Sequence, residues 1–308
     1  MPQRGTSWLV TDGPDAAVGQ VAMRTLRGRL RAVWAEAQAA AEGTAPEHVH
    51  RLRVATRRTL AALDVFRDVL PPRRAAWFRK RLRLLRQAAG DARDLDVLTG
   101  RLRQGGSRPE PAASAARSRL VAMLSRQRTV SRGPIRELYE RLTEADWHGR
   151  VDTFLERVAD RGRRTRFGDY ARRRFGPLTA DFFAIADRRL RDADEIHRVR
   201  IEAKKLRYAV EIFAGVFPAA TLARCQDALA RLQETLGEFT DHATAADRFR
   251  RWSRDESMRS DRDTLAEFRR REDMLADDAR RAFADWWSRS RRRALRRTFE
   301  RSLRRESA

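Results

Sequence analysis

The sequence predicts an all-α fold built from two related halves, and three features of the chain support this prediction. Apolar residues recur at the three- and four-residue spacing of an amphipathic helix along most of the 308 residues. No stretch shows the alternation of apolar and polar residues that is typical of a half-buried strand. An internal repeat at an offset of 147 residues indicates a duplication, which agrees with the domain count expected for this length.

The repeat is centred on a basic segment that the chain contains twice. Residues 50–58 read HRLRVATRR, and residues 197–205 read HRVRIEAKK. The same offset continues past the segment and aligns matching residues: Phe66 with Phe213, Pro71 with Pro218, Gly90 with Gly237 and Asp94 with Asp241. A chance similarity of two basic helices would not keep one offset through a proline, a glycine and an aspartate.

Both copies place a row of cationic side chains on one side of a predicted helix. In the first copy His50, Arg53 and Arg57 share one stripe, and Arg51 and Arg58 form a second stripe about 100° away. The second copy repeats the first stripe with His197, Arg200 and Lys204. The opposite side is predicted to face the core, through Leu52, Thr56, Thr59, Leu63, Phe66 and Leu70 in one copy and Val199, Ala203, Leu206, Val210, Phe213 and Phe217 in the other.

This charge pattern favours an anionic partner over an ordinary solvated face, which is the alternative. Exposed helices usually mix charges to gain small ion pairs one turn apart. Residues 50–58 carry four arginines and no acid, and residues 197–205 carry Glu202 as their only acid. Like charges crowded in this way repel one another unless an anion neutralises them, and the chain keeps the pattern twice.

Composition points to the same class of partner. The formal net charge is +24, from 67 basic and 43 acidic residues, so the sequence predicts a polyanion such as nucleic acid, an anionic membrane surface or polyphosphate. The single cysteine, Cys225, excludes an intrachain disulfide and is best suited to the core. We find no signal peptide pattern and no run of about 18 apolar residues, so we expect a cytoplasmic protein without a membrane span.

The two basic segments resemble the signature helices of the CHAD domain family. Two further segments, GDARDLDV at residues 90–97 and LQETLG at residues 232–237, are similar to the family's next landmarks, and the resemblance covers about residues 20–255. Leu60 departs from the pattern, because the family usually has a basic residue there. The resemblance implies two helical bundles of about four main helices each, related by a pseudo-twofold internal repeat around a central basic groove that binds inorganic polyphosphate.

The residues predicted to contact polyphosphate are the cationic side chains of the two repeated helices: His50, Arg51, Arg53, Arg57, Arg58, His197, Arg198, Arg200, Lys204, Lys205 and Arg207. A secondary set consists of outward-facing arginines of the first half: Arg24, Arg27, Arg31, Arg79, Arg83 and Arg86. The arginine fork suits phosphate oxygens, and a charge-assisted bond contributes about 1.5–3 kcal/mol. Each of the two histidines either joins the site or caps and packs at its helix start.

Two other functions are considered at this stage, a nucleic-acid binder and an enzyme. A nucleic-acid binder would satisfy the charge, although the aromatics near both motifs lie on the apolar side, with Tyr208 as the exception. Nucleic acid is therefore expected as a competitor for the same surface. An enzyme is not expected, because the chain has no Glu-x-Glu-x-Lys pattern and no acidic cluster for magnesium. No cofactor and no metal are predicted, and polyphosphate granules are a candidate site of association.

The domain plan divides the chain into an irregular leader at 1–15, a first bundle at 16–146, an inter-bundle passage at 147–168 and a second bundle at 169–308. Gly90 is predicted to end a helix, and Asp94 is predicted to cap the next helix or to pair with an arginine, with Asp241 as its counterpart. Glycine and proline make residues 104–113 the clearest linker. The basic turn at 161–166 is either solvated or part of an anion site. The basic C-terminal helix, near 261–305, is interpreted as a packed helix rather than a membrane-surface helix.

Overall fold

The computed structural model of the chain describes residues 8–104, 111–188 and 193–302. Across these residues it contains eleven α-helices, three short 3-10 segments and no strand, which confirms the predicted all-α class. None of the helices in these ranges is long and apolar enough to cross a membrane. Most of the predicted linker at 104–113 lies outside the described residues.

The first compact unit comprises residues 16–166. Its helices are α1 (Val18–Glu42), α2 (Pro46–Val65), α3 (Pro72–Gln104), α4 (Pro111–Ser131), α5 (Gly133–Glu144) and α6 (Trp147–Arg161). Helix α1 packs against α2, α5 and α6, and α3 packs against α2 and α4. The unit therefore contains more helices than the sequence analysis expected, because α5 and α6 each bury an apolar stripe of their own.

The second compact unit comprises residues 167–308 together with residues 1–15. Its helices are α7 (Phe167–Ala186), α8 (Ala193–Ile212), α9 (Ala219–Trp252), α10 (Arg262–Trp286) and α11 (Arg289–Ser302). Helix α9 packs against α8, α10 and α11. Phe299 and Leu295 of α11 are buried, and the Phe299 ring lies 5.6 Å from the Phe175 ring. This burial confirms that the basic C-terminal segment is packed, but the single helix predicted near 261–305 is two helices, α10 and α11.

The internal repeat holds in the local structure of both units. Helices α2 and α8 each contain 20 residues, and their bounds differ by the same 147 positions as the sequence repeat. A single 3-10 turn follows each of them, at Arg67–Val69 and Ala214–Val216, with the same offset. The long helices α3 and α9 then begin at corresponding positions.

The prediction that Gly90 ends a helix is wrong, and so is the equivalent break at Gly237. Helices α3 and α9 run through both glycines without interruption. A glycine inside a helix costs only about 1 kcal/mol, and the apolar stripe continues past it through buried Leu95 and Phe239. Asp94 and Asp241 therefore lie inside helices and cannot act as helix caps.

Two predicted domain boundaries differ from the compact units. Residues 147–166 lie in the first unit, since α6 packs against α1 and buries Phe154, Leu155 and Val158. The close approach of Gly19 and Gly162 helps this packing, because a Cβ atom at Gly162 would lie 2.4 Å from the Gly19 nitrogen. The apolar stripe at the start of the predicted passage thus finds its partner in α1.

The predicted leader is irregular over residues 8–15, and it packs with the second unit rather than with the first bundle that follows it in the chain. The Val10 amide donates to the Glu211 carbonyl at 3.0 Å, and the Gly215 amide donates to the Val10 carbonyl at 2.9 Å. A Cβ atom at Gly215 would lie 2.3 Å from the Asp12 carbonyl oxygen. Residues 8–15 therefore form part of the second unit, held by backbone hydrogen bonds that side-chain patterns do not reveal.

Candidate anion-binding faces

The core-facing side of α2 is buried as predicted. Leu52, Thr56, Thr59 and Leu63 have no exposed surface. The two threonine hydroxyls donate within the helix, Thr56 to the Leu52 carbonyl at 2.9 Å and Thr59 to the Ala55 carbonyl at 2.8 Å. These bonds satisfy the buried hydroxyls, so the two threonines can lie in the core without a large desolvation cost.

The core-facing side of α8 is buried in the same way. Val199, Ala203, Leu206, Val210 and Phe213 are fully buried. Because one side of each helix lies in the core, the opposite side points outward. That outward side carries the histidine and the cations at the third and seventh positions after it.

Each cationic row is anchored by one ion pair that recurs in both units. Arg53 donates to an Asp94 carboxylate oxygen at 3.1 Å, and Arg200 lies 3.7 Å from Asp241. Both acids lie on the long helix that packs against the basic helix. The arginine-pairing alternative for these aspartates is therefore confirmed at equivalent positions of the two units, and the hydrogen bond to Asp94 orients the Arg53 guanidinium group.

The surroundings of His50 are strongly cationic. His50 lies at the surface, but nearby atoms partly desolvate its ring, and this desolvation is the main cause that lowers its pKa. Arg93, Arg53 and Arg57 lower the pKa of His50 further, while Glu47 opposes them. Desolvation is therefore the main cause of the lowered pKa, and the charges of arginines on both α2 and α3 add to it.

Arg93 is a residue of this face that the sequence analysis did not assign. It lies in the GDARDLDV segment, immediately before Asp94, and its charge acts on His50 from α3. The signal available in the sequence was its position next to an aspartate expected to pair with an arginine. The corresponding position of the second half is Thr240, so this contribution is not duplicated.

The structure does not place Arg51 with the His50 row. Arg51 contacts Glu36 of α1 at 3.1 Å and the Nδ1 atom of His48 at 2.8 Å. Its guanidinium group therefore belongs to the packing between α1 and α2. Arg57 and Arg58 are half-buried, and the Arg58 carbonyl accepts a 2.6 Å bond from the buried Arg29.

The predicted cations of α8 fall into two groups. His197 and Arg198 are exposed and Lys204 is half-buried, whereas two others contact acids of the same helix. Lys205 lies 2.7 Å from Glu202, and Arg207 lies 3.6 Å from Glu211 and over the Tyr208 ring. His197 and Arg198 are therefore exposed cations of α8 for which no acid contact is described.

The secondary arginines are also divided. Arg24, Arg27 and Arg31 on α1 and Arg83 and Arg86 on α3 are exposed, as predicted. Arg79 instead donates to the Leu63 carbonyl at 2.7 Å and lies 3.4 Å from Asp64, so it joins α3 to α2.

Cys225 is buried, and burial raises the pKa of its thiol to about 12, which fits the predicted core role. Within the described ranges, no group of three or more histidine, cysteine, aspartate or glutamate side chains is arranged to hold a metal ion.

Comparisons with known proteins identify one family and solved structures with a similar fold. A model of the CHAD domain family matches residues 24–250. Among solved structures, the crystal structure of the CHAD domain from the plant Ricinus communis superposes with a TM-score of 0.73 at 23% identity, covering 97% of this chain and 96% of that one. PptA from Streptomyces chartreusis superposes with a TM-score of 0.54 at 18% identity, covering 87% of this chain and 98% of that one. A comparison with the curated proteins finds no match.

Proposed function

The chain belongs to the CHAD domain family, and we propose that it binds inorganic polyphosphate through the outward faces of α2 and α8. The observation that carries the proposal is a repeated arrangement. In each unit a basic helix buries its apolar side and presents a histidine followed by cations at the third and seventh positions. In each unit one arginine of that row forms an ion pair with an aspartate on the neighbouring long helix.

Oriented, partly buried arginines suit this ligand better than fully solvated ones. Arg53 and Arg200 are largely covered, so a phosphate group that reaches them gains more than it would on a flat surface. The Arg53 guanidinium group has five N–H donors, more than its contact with Asp94 uses, so it can also donate to phosphate oxygens. A polyphosphate molecule carries about one negative charge per phosphate, so successive phosphates can each accept hydrogen bonds from an arginine.

The position of the aromatic residues favours bare phosphate over nucleic acid. Proteins that bind single strands stack bases on exposed aromatic rings. Next to the two rows, Phe66, Phe213 and Tyr208 are all buried. The sequence analysis left Tyr208 as an exception, and its burial removes that exception.

The family resemblance further implies a pseudo-twofold arrangement in which both faces line one basic groove. This implication is tested by comparing the affinities of short and long polyphosphates. A polyphosphate long enough to bind both faces at once should bind more tightly, because the second face is then contacted by the same bound molecule. Equal affinity per site for short and long chains would contradict a shared groove while leaving binding by each face intact.

The decisive experiment is a titration with long-chain polyphosphate at several salt concentrations. If about six to ten phosphates are neutralised, the slope of log affinity against log salt is of order −4 to −7. The combined Arg53→Gln, Arg57→Gln, Arg200→Gln and Lys204→Gln variant should lose binding. A matched variant removes four exposed arginines elsewhere, namely Arg126, Arg157, Arg270 and Arg271, and should retain it. If both variants lost the same amount of polyphosphate affinity, binding would depend on the net charge of the protein and not on the faces of α2 and α8.

Two further measurements test the remaining parts of the proposal. Competition with DNA and RNA at equal phosphate concentration should leave polyphosphate bound, and equal competition would favour a general nucleic-acid binder. We propose that binding occurs without catalysis, so incubation with magnesium or manganese should release no phosphate. A fluorescent fusion should colocalise with cytoplasmic polyphosphate granules if the protein acts there.

A further inference from the structure

A pocket of about 620 Å³ lies in the first unit, between the start of α3 and the start of α6. The residues that matter for its chemistry are Arg73, Arg74, Trp77, Phe78, Asp146 and Arg150. Arg74 and Asp94 are 20 residues apart on the same helix, which separates the pocket from the Arg53–Asp94 pair by about 30 Å. The pocket is therefore a different place from the outward face of α2.

The charge at the start of α3 is unfavourable unless an anion is present. Arg73 and Arg74 lie in its first turn, and that turn contains no acid. The N-terminal end of a helix carries a partial positive charge, so cations there destabilise the helix and anions stabilise it. Natural proteins often retain residues that destabilise the free protein where a bound ligand offsets the destabilisation.

The pocket also contains a flat surface that a bare phosphate chain would not use. Trp77 is half-buried, and the guanidinium groups of Arg81 and Arg150 lie over its ring at 4.6 and 5.0 Å. The Arg150 Nε atom is held by the Ala145 carbonyl at 2.6 Å, which keeps its plane in place. Arginine planes and tryptophan rings both stack on aromatic bases.

The second half lacks this set of side chains. The positions that correspond to Arg73, Arg74, Trp77 and Phe78 are Ala220, Thr221, Arg224 and Cys225. Helices α3 and α9 otherwise share their start, their core stripe and their aspartate. The repeated fold therefore does not require the pocket residues, and neither do the duplicated basic faces.

We propose that this pocket binds a nucleoside polyphosphate, with ATP as the test ligand. Arg73 and Arg74 receive the phosphates at the start of α3, and the base packs against the Trp77–Arg150 surface. The Asp146 carboxylate lines the pocket and accepts the Gly149 amide as the cap of α6, and its remaining lone pairs accept hydrogen bonds from the sugar or base. The volume lies within the range of about 300–1,000 Å³ found for small-molecule sites. This inference goes beyond polyphosphate binding and does not depend on it.

The first measurement compares the binding of ATP with that of inorganic triphosphate, which carries the phosphates without base or sugar. Because triphosphate can also bind the faces of α2 and α8, this comparison uses the variant that combines Arg53→Gln, Arg57→Gln, Arg200→Gln and Lys204→Gln. We expect ATP to bind at least about tenfold more tightly than triphosphate, because only ATP can stack. The Arg73→Gln and Arg74→Gln double variant should lose ATP affinity at least about tenfold. Its melting temperature without ligand should stay the same or rise, since two unfavourable charges are removed from the helix start.

The Arg53→Gln and Arg57→Gln double variant is the matched control, because it removes two arginines from the α2 face. It should keep ATP affinity within about twofold while it weakens polyphosphate binding. Three outcomes overturn the inference: equal affinity for ATP and triphosphate, ATP binding that depends on Arg53 and Arg57 instead, or a clear drop in melting temperature for the Arg73 and Arg74 variant, which would show a structural role. Failure of polyphosphate binding leaves these readouts unchanged.

Discussion

Helices α2 and α8 share their length, register and buried side, but they differ in where their neutralising acids lie. Arg51 and Arg53 of α2 meet acids on other helices, Glu36 of α1 and Asp94 of α3. Two cations of α8, Lys205 and Arg207, meet acids on α8 itself. The outward row of α2 consequently contains no acid between His50 and Arg58.

The long helices that support the two rows increase this difference. Helix α3 adds the charge of Arg93 near His50, whereas α9 has Thr240 at the corresponding position. The comparison shows that the duplication preserved the anchoring pair but not the strength of the positive potential. We therefore expect the first half to contribute more of the affinity for a polyanion than the second.

The largest expected effect comes from removing two charges from each row separately. Substituting Arg53 and Arg57 with glutamine should weaken polyphosphate binding by about a hundredfold, since each charge-assisted bond contributes about 1.5–3 kcal/mol. Substituting Arg200 and Lys204 with glutamine should weaken it by only about tenfold, because Glu202 already offsets part of the charge on α8. Titrations of both double variants with polyphosphate at one salt concentration give the ratio of the two affinity losses. Equal losses would remove the proposed asymmetry while leaving binding by both rows in place.

The next effect is a pH dependence centred on His50. Its pKa is lowered in the free protein, so the ring is neutral near pH 7, and a bound polyanion favours the charged form and raises the pKa. Binding then takes up a proton, and affinity should rise as the pH falls from about 8 to 6, by up to about tenfold for each unit that the pKa rises. Titrations across this range compare the His50→Gln and His197→Gln variants with the wild-type chain. If polyphosphate affinity depended on pH in the His50→Gln variant as it does in the wild-type chain, another group would take up the proton.

The smallest effect tests the anchoring pairs. Asp94→Asn should raise polyphosphate affinity by a few fold, because it removes a negative charge from the first row, while it lowers stability by about 0.2–1 kcal/mol, as expected for a surface ion pair. Asp241→Asn should change both quantities less, since its separation of 3.7 Å from Arg200 exceeds hydrogen-bond range. Binding titrations and urea unfolding measure the two quantities. Lower affinity in Asp94→Asn would show that orienting Arg53 matters more than neutralising it.

Much of the candidate site follows from spacing along the chain. The 3.6-residue period assigned the buried sides of α2 and α8, and the fixed offset identified Asp94 and Asp241 as equivalent residues. Spacing could not show that Arg51 turns toward Glu36 or that the charge of Arg93 acts on His50, because both interactions join residues of different helices. The helix breaks expected at Gly90 and Gly237 failed for a related reason. A glycine weakens a helix only slightly, and packing of the stripe that continues beyond it outweighs that cost.

The sequence by itself determined the helical class, the duplication and the cationic rows. The helices and the rows follow from the local spacing of apolar and charged residues, and the duplication follows from the constant offset of 147 positions. Tertiary structure alone decided that residues 8–15 belong to the second unit and that α6 belongs to the first. It also decided which arginines face acids and which face outward. These outcomes depend on backbone hydrogen bonds and on contacts between segments far apart in the chain, and no pattern within one helix encodes them.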